Sequence, residues 1–405
     1  MTNGWKLPRY VDTVMRALAA AGHRGYLVGG SLRDLLRGLT PHDYDLTTDA
    51  TPEEMLDIFK DLRVIPTGLK HGTITVLSEG KPVEITTHRV DGVYEDARHP
   101  GEVTFTRKLE ADLSRRDFTV NAMAWNPEVG LIDLFGGQDD LARGILRAVG
   151  DPAERFREDA LRILRLCRFA AQLEFSIEPR TLAGAAATAE GLARISAERV
   201  FSELTRLLEA PDPTRGLSAL LETGCGKYVF FDTVSRLKPE AALSALPHDA
   251  PLRLALLLPT LTADEAVALA KRWRAPNAFA EALAAYLEAG REPLPDSDYA
   301  ARRFTSRYWY FREGALALHA AAGEDTAAAD ALCRKVARDG TAVEIRRLAV
   351  NGRELQETIG VLPQRTGDLL RRLQDLVWHD PTINKRPALM AAAAEICGRE
   401  RDFCE

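Results

Sequence analysis

Leu27-Val28-Gly29-Gly30-Ser31-Leu32-Arg33-Asp34, then Gly38, then Asp43-Tyr44-Asp45-Leu46, is the stretch that decides how this chain reads. Tyr26 to Val28 is a short apolar run of strand type, and the glycine pair breaks it. Ser31 is placed to cap a helix over Leu32–Arg37, which Gly38 ends. Asp43 and Asp45 then fall at i and i+2 of a second predicted strand, so both carboxylates point to one face. Two acids at that spacing repel each other unless a cation lies between them, and hard oxygen ligands of this kind suit Mg²⁺. Gly29 and Gly30 let a backbone approach phosphates closely, and Arg33 is placed to grip them. Each piece alone is ordinary turn or surface chemistry. Their order points to a metal-dependent site for a nucleoside triphosphate.

Working outward, residues 1–148 alternate helix and strand signals. Tyr10–Ala21 reads as a helix closed by Gly22, and Pro52–Leu62 as a helix with proline in its first turn. Gly72–Leu77 and Val83–His88 read as strands. From Asp151 onward strand patterns nearly vanish, and Ala, Leu, Arg and Glu recur with helical periodicity. The fold class expected is α+β: an α/β head at 1–148, then all-helical segments at 149–215, 216–320 and 321–405.

A chain of 405 residues is too long for one ordinary core, and its 46% hydrophobic and 28% charged residues are ordinary for a globular protein. No apolar run approaches a membrane span, and Met1–Lys6 shows no secretory h-region. The five cysteines are scattered without a CxxC pair, so neither a disulfide framework nor a zinc site is indicated, and a cytoplasmic setting fits. The net charge of −6 argues against a generally basic nucleic-acid binder. A local basic stripe would still serve.

Three further stretches bear on chemistry. Glu84, in Val83-Glu84-Ile85-Thr86, is a charged residue among strand formers. It is either a solvent-facing residue of an edge strand or a third acid beside Asp43 and Asp45, completing a metal cage or activating an attacking hydroxyl. In Ser114-Arg115-Arg116-Asp117-Phe118-Thr119-Val120-Asn121, paired arginines beside a helix start make an anion site. Phe118, Val120 and Met123 read as core. In Arg157–Phe169, Asp159, Arg162, Arg165 and Arg168 recur every three residues on one predicted helix. An acid and an arginine at that spacing are ordinarily a surface ion pair. Cytosine and adenine, however, both present an amino donor beside a ring-nitrogen acceptor, and Asp beside Arg offers the matching acceptor and donor. Uracil and guanine present the reverse order.

Together these motifs resemble those of the class II tRNA nucleotidyltransferase and bacterial poly(A) polymerase family. The likeness is dense over about 1–210 and diffuse beyond. It implies a nucleotidyltransferase head followed by helical neck, body and tail, and template-independent addition of CCA to the tRNA 3′ end from CTP and ATP with Mg²⁺. It implies Asp43 and Asp45 as metal ligands and, with Glu84, as catalytic acids. Gly29, Gly30, Arg33, Arg116, Asp159, Arg162, Arg165 and Arg168 become nucleotide-binding residues. Asp91–Pro100 resembles the family loop associated with the switch to adding A, which is shortened in enzymes that add only CC. Asp133–Leu141 matches a turn and helix entry between head and neck. Ile195–Val200 resembles the neck, with Ser196 at a helix start, and Val350–Leu355 resembles the tail. Addition of the terminal A alone, poly(A) synthesis, and RNA binding by an inactive head remain open alternatives. No membrane partner is implied, and the oligomeric state stays undetermined.

Overall fold

The computed structural model describes residues 5–91, 103–238 and 242–404. The expected Asp91–Pro100 loop, beyond Asp91 itself, lies outside them. The chain divides into two compact units, Met1–Pro239 and Glu240–Glu405.

The first unit is built on a seven-stranded sheet. Its strands are β1 (Gly25–Val28), β2 (Asp45–Thr48), β3 (Arg63–Gly68), β4 (Thr73–Ser78), β5 (Lys81–Thr87), β8 (Met123–Asn126) and β9 (Gly130–Asp133). Between them, β6 (Arg89–Asp91) and β7 (Val103–Phe105) form a separate antiparallel pair. The sheet order is β3-β4-β5-β2-β1-β8-β9. All neighbours are antiparallel except β2 and β5, which pair in parallel with Asp45 opposite Glu84. Glu84 is therefore solvent-facing on an interior strand, not on an edge strand.

Helices α1 (Arg9–Ala20), α2 (Gly29–Leu36) and α3 (Pro52–Ile58) contribute to the head. The apolar stripe of α1, Val11, Val14, Met15 and Leu18, is buried against Leu27, Leu46, Ile74, Val83 and Ile85 of the strands. Alternation along β4, with Ile74 and Val76 buried, is what one buried sheet face requires. Thr51 closes a capping box with Glu54, which fixes the start of α3 one residue before its proline. That helix stops at Ile58, short of the expected Leu62.

Helix α4 (Leu109–Ser114) follows β7, and α5 (Gly137–Arg143) follows the β8–β9 hairpin. The expected turn at Asp133–Leu141 is present: the Asp133 carboxylate accepts from the backbone N–H groups of Gly137 and Gln138, both at 2.8 Å. Beyond it the unit is helical: α6 (Pro152–Glu158), α7 (Leu161–Leu173), α8 (Pro179–Ala187), α9 (Ala197–Leu208) and α10 (Pro213–Glu222). A two-residue parallel pair, β10 (Ile145–Leu146) with β11 (Ser176–Ile177), is the last strand structure among the described residues. Ser196 precedes α9 as expected, without a side-chain capping bond.

The second unit is helical among its described residues. One core gathers Phe304, Tyr308, Leu316, Cys333 and Val336; another gathers Leu355, Leu369, Leu373, Leu389 and Phe403. Asn351 closes a capping box with Glu354 at the helix Gly352–Ile359. The His-Asp pairs at 248–249 and 379–380 play structural parts: Asp249 caps the helix Ala250–Leu257, and His379 stacks on Tyr299 at 3.9 Å. No helix of the described residues is long and apolar enough to cross a membrane.

The tightest backbone approach in the head is at the start of α5. A Cβ at Gly137 would stand 2.3 Å from the Thr119 carbonyl oxygen and 2.9 Å from Met123. Gly137→Ala is therefore expected to destabilise the first unit by about 1–3 kcal/mol, read as a lowered thermal or urea midpoint. An unchanged midpoint would contradict this packing.

Candidate active site

The glycine turn forms where the sequence places it, but its parts act differently. Gly29 takes the left-handed conformation, φ +67°, and starts α2 directly from β1. The helix begins two residues before Ser31, so Ser31 is not its cap. Its hydroxyl donates to the Val28 carbonyl at 2.8 Å and accepts from the Asp45 N–H at 3.4 Å, tying α2 to the start of β2. A Cβ on Gly29 would lie 3.5 Å from an Arg116 terminal nitrogen and 4.0 Å from an Asp45 carboxylate oxygen. The backbone there stands beside both charges. Gly38, φ +76°, ends the helix as read.

Asp45 opens β2, whereas Asp43 lies just before it in a bend. Both nonetheless line one cavity of about 700 Å³. Burial first, then the charges of Glu84 and Asp43, pushes the Asp45 carboxyl up to about 6; Arg116 opposes the rise. A cation set between these carboxylates would relieve that crowding. Among the described residues no group of three His, Cys, Asp or Glu is arranged to hold a metal ion. Glu84 meets Asp45 through charge and strand register. Two carboxylates fit a divalent ion that takes its remaining oxygens from phosphates and water, the habit of Mg²⁺.

The rest of the cavity is a wall of guanidiniums. Among the described residues, Arg33, Arg89, Arg115, Arg116, Arg162, Arg165, Arg168, Arg199 and Arg206 line it, with Asp117 and Asp159. This is the local basic surface that the net charge concealed.

Arg115 and Arg116 follow the end of α4, not a helix start. Both bond Asp112, a fully buried carboxylate, at 2.7 and 3.1 Å. Burial alone would raise Asp112, but the two guanidiniums hold it down at about 2. The fold likewise keeps Asp117 down at about 2 against its burial, through Arg165 at 2.7 Å and bonds from Asn121 and the Phe118 N–H. Arg33 donates to Asp34 at 2.9 Å and to Asn121 at 3.0 Å. Phe118, Val120 and Met123 are core, as read.

The three-residue series does not lie on one helix. Glu158 ends α6, Asp159 is extended at φ −143°, and α7 starts at Leu161. Asp159 and Arg162 form no ion pair with each other. Asp159 accepts from the Leu161 N–H and from Arg199, each at 3.0 Å. Arg162 is held by Glu158 at 2.5 Å and by the Arg115 carbonyl at 3.0 Å. Arg168 is held by Glu203 at 2.5 Å and Gln172 at 2.6 Å. The surface-pair reading of Asp159 and Arg162 is thereby excluded, while all four residues of the series reach the cavity.

Sequence reasoning passed over Asp112, Glu203, Asn121, Arg199, Arg206 and Phe169. Asp112 carried a usable signal, since Arg115 and Arg116 stand at i+3 and i+4 from it. Glu203 carried none, because its partner is 35 residues away.

The raised Asp45 carboxyl has a measurable consequence in metal-free protein. Its folded-state value lies above the unfolded one, so the ionised form is the one that costs stability. Asp45→Asn should raise the thermal midpoint at pH 8, by an amount equivalent to about 1–3 kcal/mol. The gain should shrink as pH falls through about 6 and vanish below about 4, where both states carry the proton. A gain independent of pH would contradict the assignment.

The head matches the family model described as the poly A polymerase head domain over residues 25–147. Residues 174–236 match the probable RNA- and SrmB-binding site of polymerase A. The chain is 36% identical over 397 residues to a CCA-adding enzyme of Streptococcus suis, covering 96% of each chain. It is 36% identical over 377 residues to the CCA-adding enzyme of Geobacillus stearothermophilus, covering 90% of each. The crystal structure of the Bacillus stearothermophilus CCA-adding enzyme in complex with CTP superposes with a TM-score of 0.83, at 30% identity, over 98% of this chain and 99% of that one. With this similarity along nearly its whole length, the chain belongs to the family of CCA-adding enzymes, the tRNA nucleotidyltransferases.

Proposed function

We propose that this protein completes the 3′ end of tRNA with C, C and A from CTP and ATP, without a nucleic-acid template, releasing pyrophosphate. The observation that carries the proposal is one cavity that joins two crowded carboxylates, a glycine turn and a wall of tethered arginines. Asp43 and Asp45 would hold Mg²⁺, which when bound neutralises triphosphate charge and sharpens the primer 3′-hydroxyl as nucleophile. Glu84 adds to the negative field at that point.

Gly29 and Gly30 take phosphate oxygens at the start of α2, where unpaired helix N–H groups favour anions. Arg33, Arg116, Arg165 and Arg168 hold the triphosphate and orient the nucleotide. Each is fixed from behind by a carboxylate, so little ordering remains to be done when the ligand arrives. Asp159 and Arg162 select the base. Each Asp159 oxygen keeps lone-pair capacity beyond its bonds to Leu161 and Arg199, and it accepts the amino group of cytosine or adenine. Arg162, anchored by Glu158, donates to the neighbouring ring nitrogen. Uracil and guanine meet acceptor with acceptor and donor with donor.

In this reading residues 149–215 supply the base-selecting wall, and 216–320 and 321–405 carry surface for tRNA. CCA addition is preferred over A-only or poly(A) addition because the relatives matching nearly the whole chain are CCA-adding enzymes. A purely RNA-binding role leaves the crowded acids without a purpose.

The deciding experiment offers one preparation tRNA ending at the discriminator base, at –C and at –CC, with all four triphosphates. All three should be extended to CCA, and extension of the –CC substrate alone would instead assign A addition. Asp43→Ala and Asp45→Ala should each abolish incorporation of every nucleotide and leave tRNA affinity near wild type. Substantial CTP incorporation by either variant with Mg²⁺ would refute the acid assignment. Asp159→Ala should relax discrimination against U and G by about ten- to a hundredfold. Unchanged preference in a folded Asp159→Ala protein would refute the template role.

A further inference from the structure

Phe169, on α7, is nearly buried yet lines the cavity. Three guanidinium carbons lie over its ring: Arg168 at 4.0 Å from the centroid, Arg165 at 5.3 Å and Arg33 at 5.5 Å. The wholly buried Phe118 meets it edge-on at 5.9 Å and 87°, which fixes the ring's orientation. Three cations thus converge on one aromatic ring. The arginines come from α2 and α7, and each also has its own carboxylate, Asp34, Asp117 or Glu203.

The bonds leave a definite remainder. Arg165 gives Nε and Nη2 to Asp117. Arg168 gives Nε to Glu203 and Nη1 to Gln172. Nη1 of Arg165 and Nη2 of Arg168 make no hydrogen bond among the described residues. Carboxylates fix one edge of each guanidinium, while the ring attracts it through the negative π face. Two free donors are thereby left on residues that line the cavity together with Asp43 and Asp45.

We propose that Phe169 is a positioning residue for the known reaction: its ring gathers Arg33, Arg165 and Arg168 into one seat for the phosphates of the incoming nucleotide. The proposal rests on the nucleotide-binding reading of the cavity. It differs from a packing role in one respect. Packing depends on the shape of the ring, whereas the seat depends on its electrons.

Replacing Phe169 with its mono-, di- and trifluorinated analogues drains the π face stepwise with little change of shape. CTP and pyrophosphate affinities are measured by calorimetry on the full chain, with magnesium and without primer. Both should weaken stepwise, by about three- to tenfold across the series. The thermal midpoint, the KM for tRNA and the preference for C over U should hold. Phe169→Leu, which keeps the apolar bulk, should weaken both ligands at least as much as the trifluoro analogue.

Arg162→Ala, which removes a base contact, is assayed in parallel and should weaken CTP but not pyrophosphate. A flat fluorination series with Arg162→Ala behaving as expected overturns the role of Phe169 alone. A flat series with an unaffected Arg162→Ala overturns the nucleotide reading of the cavity as well. Losses that track a falling thermal midpoint overturn the proposal in favour of packing.

Discussion

Guanidiniums crowded into one cavity repel. Two unit charges 5 Å apart at the effective dielectric of a protein surface oppose each other by about 3 kcal/mol, and this cavity multiplies that term. The structure answers with carboxylates set behind the wall. Asp112 holds Arg115 and Arg116, Asp117 holds Arg165, Glu158 holds Arg162, Glu203 holds Arg168 and Asp159 holds Arg199. The cationic surface is affordable because its counter-ions are internal.

Those ties cross secondary-structure boundaries. Asp117 lies between α4 and β8, and its partner is on α7. The Arg115 carbonyl accepts from Arg162, also on α7. Glu203 and Arg199 on α9 bond Arg168 and Asp159. The bonds that shape the cavity therefore also join the sheet side of the first unit to its helices. Loss of one buried carboxylate would strand an arginine in low dielectric and loosen the wall at the same time. The shape of the cavity and the stability of the fold are not separable at these positions.

Much of this was legible in the sequence because it is local. The strand–glycine–helix turn, the core character of Phe118 and Val120, the turn at Asp133 and the change to helix beyond Asp151 all follow from neighbours in the chain. What was misread depended on partners elsewhere. Ser31 reads as a cap until the Val28 carbonyl and the Asp45 N–H take its hydroxyl. The Asp159-to-Arg168 spacing reads as one continuous helix, because nothing local reveals that Asp159 breaks it and turns toward Arg199. The paired arginines read as a helix start, although their anchor, Asp112, lies in the helix before them. Asp43 reads as strand because alternation does not mark where pairing begins. In each case the residue types were right and the third dimension supplied the partner.

The parallel pairing of β2 with β5, and the place of β1 between β2 and β8, set an order of events for a chain leaving the ribosome. Asp43 and Asp45 emerge early. Glu84, opposite Asp45, follows some forty residues later, and β1 gains its second neighbour only with β8. The arginines of α7 and α9 come last. A nascent chain thus carries its acids, with Arg33, well before the guanidiniums of α7 and α9, and a head without those helices has only part of the cationic wall. The cavity is in this sense completed from its helical side: the full wall of guanidiniums exists only once α7 and α9 are in place.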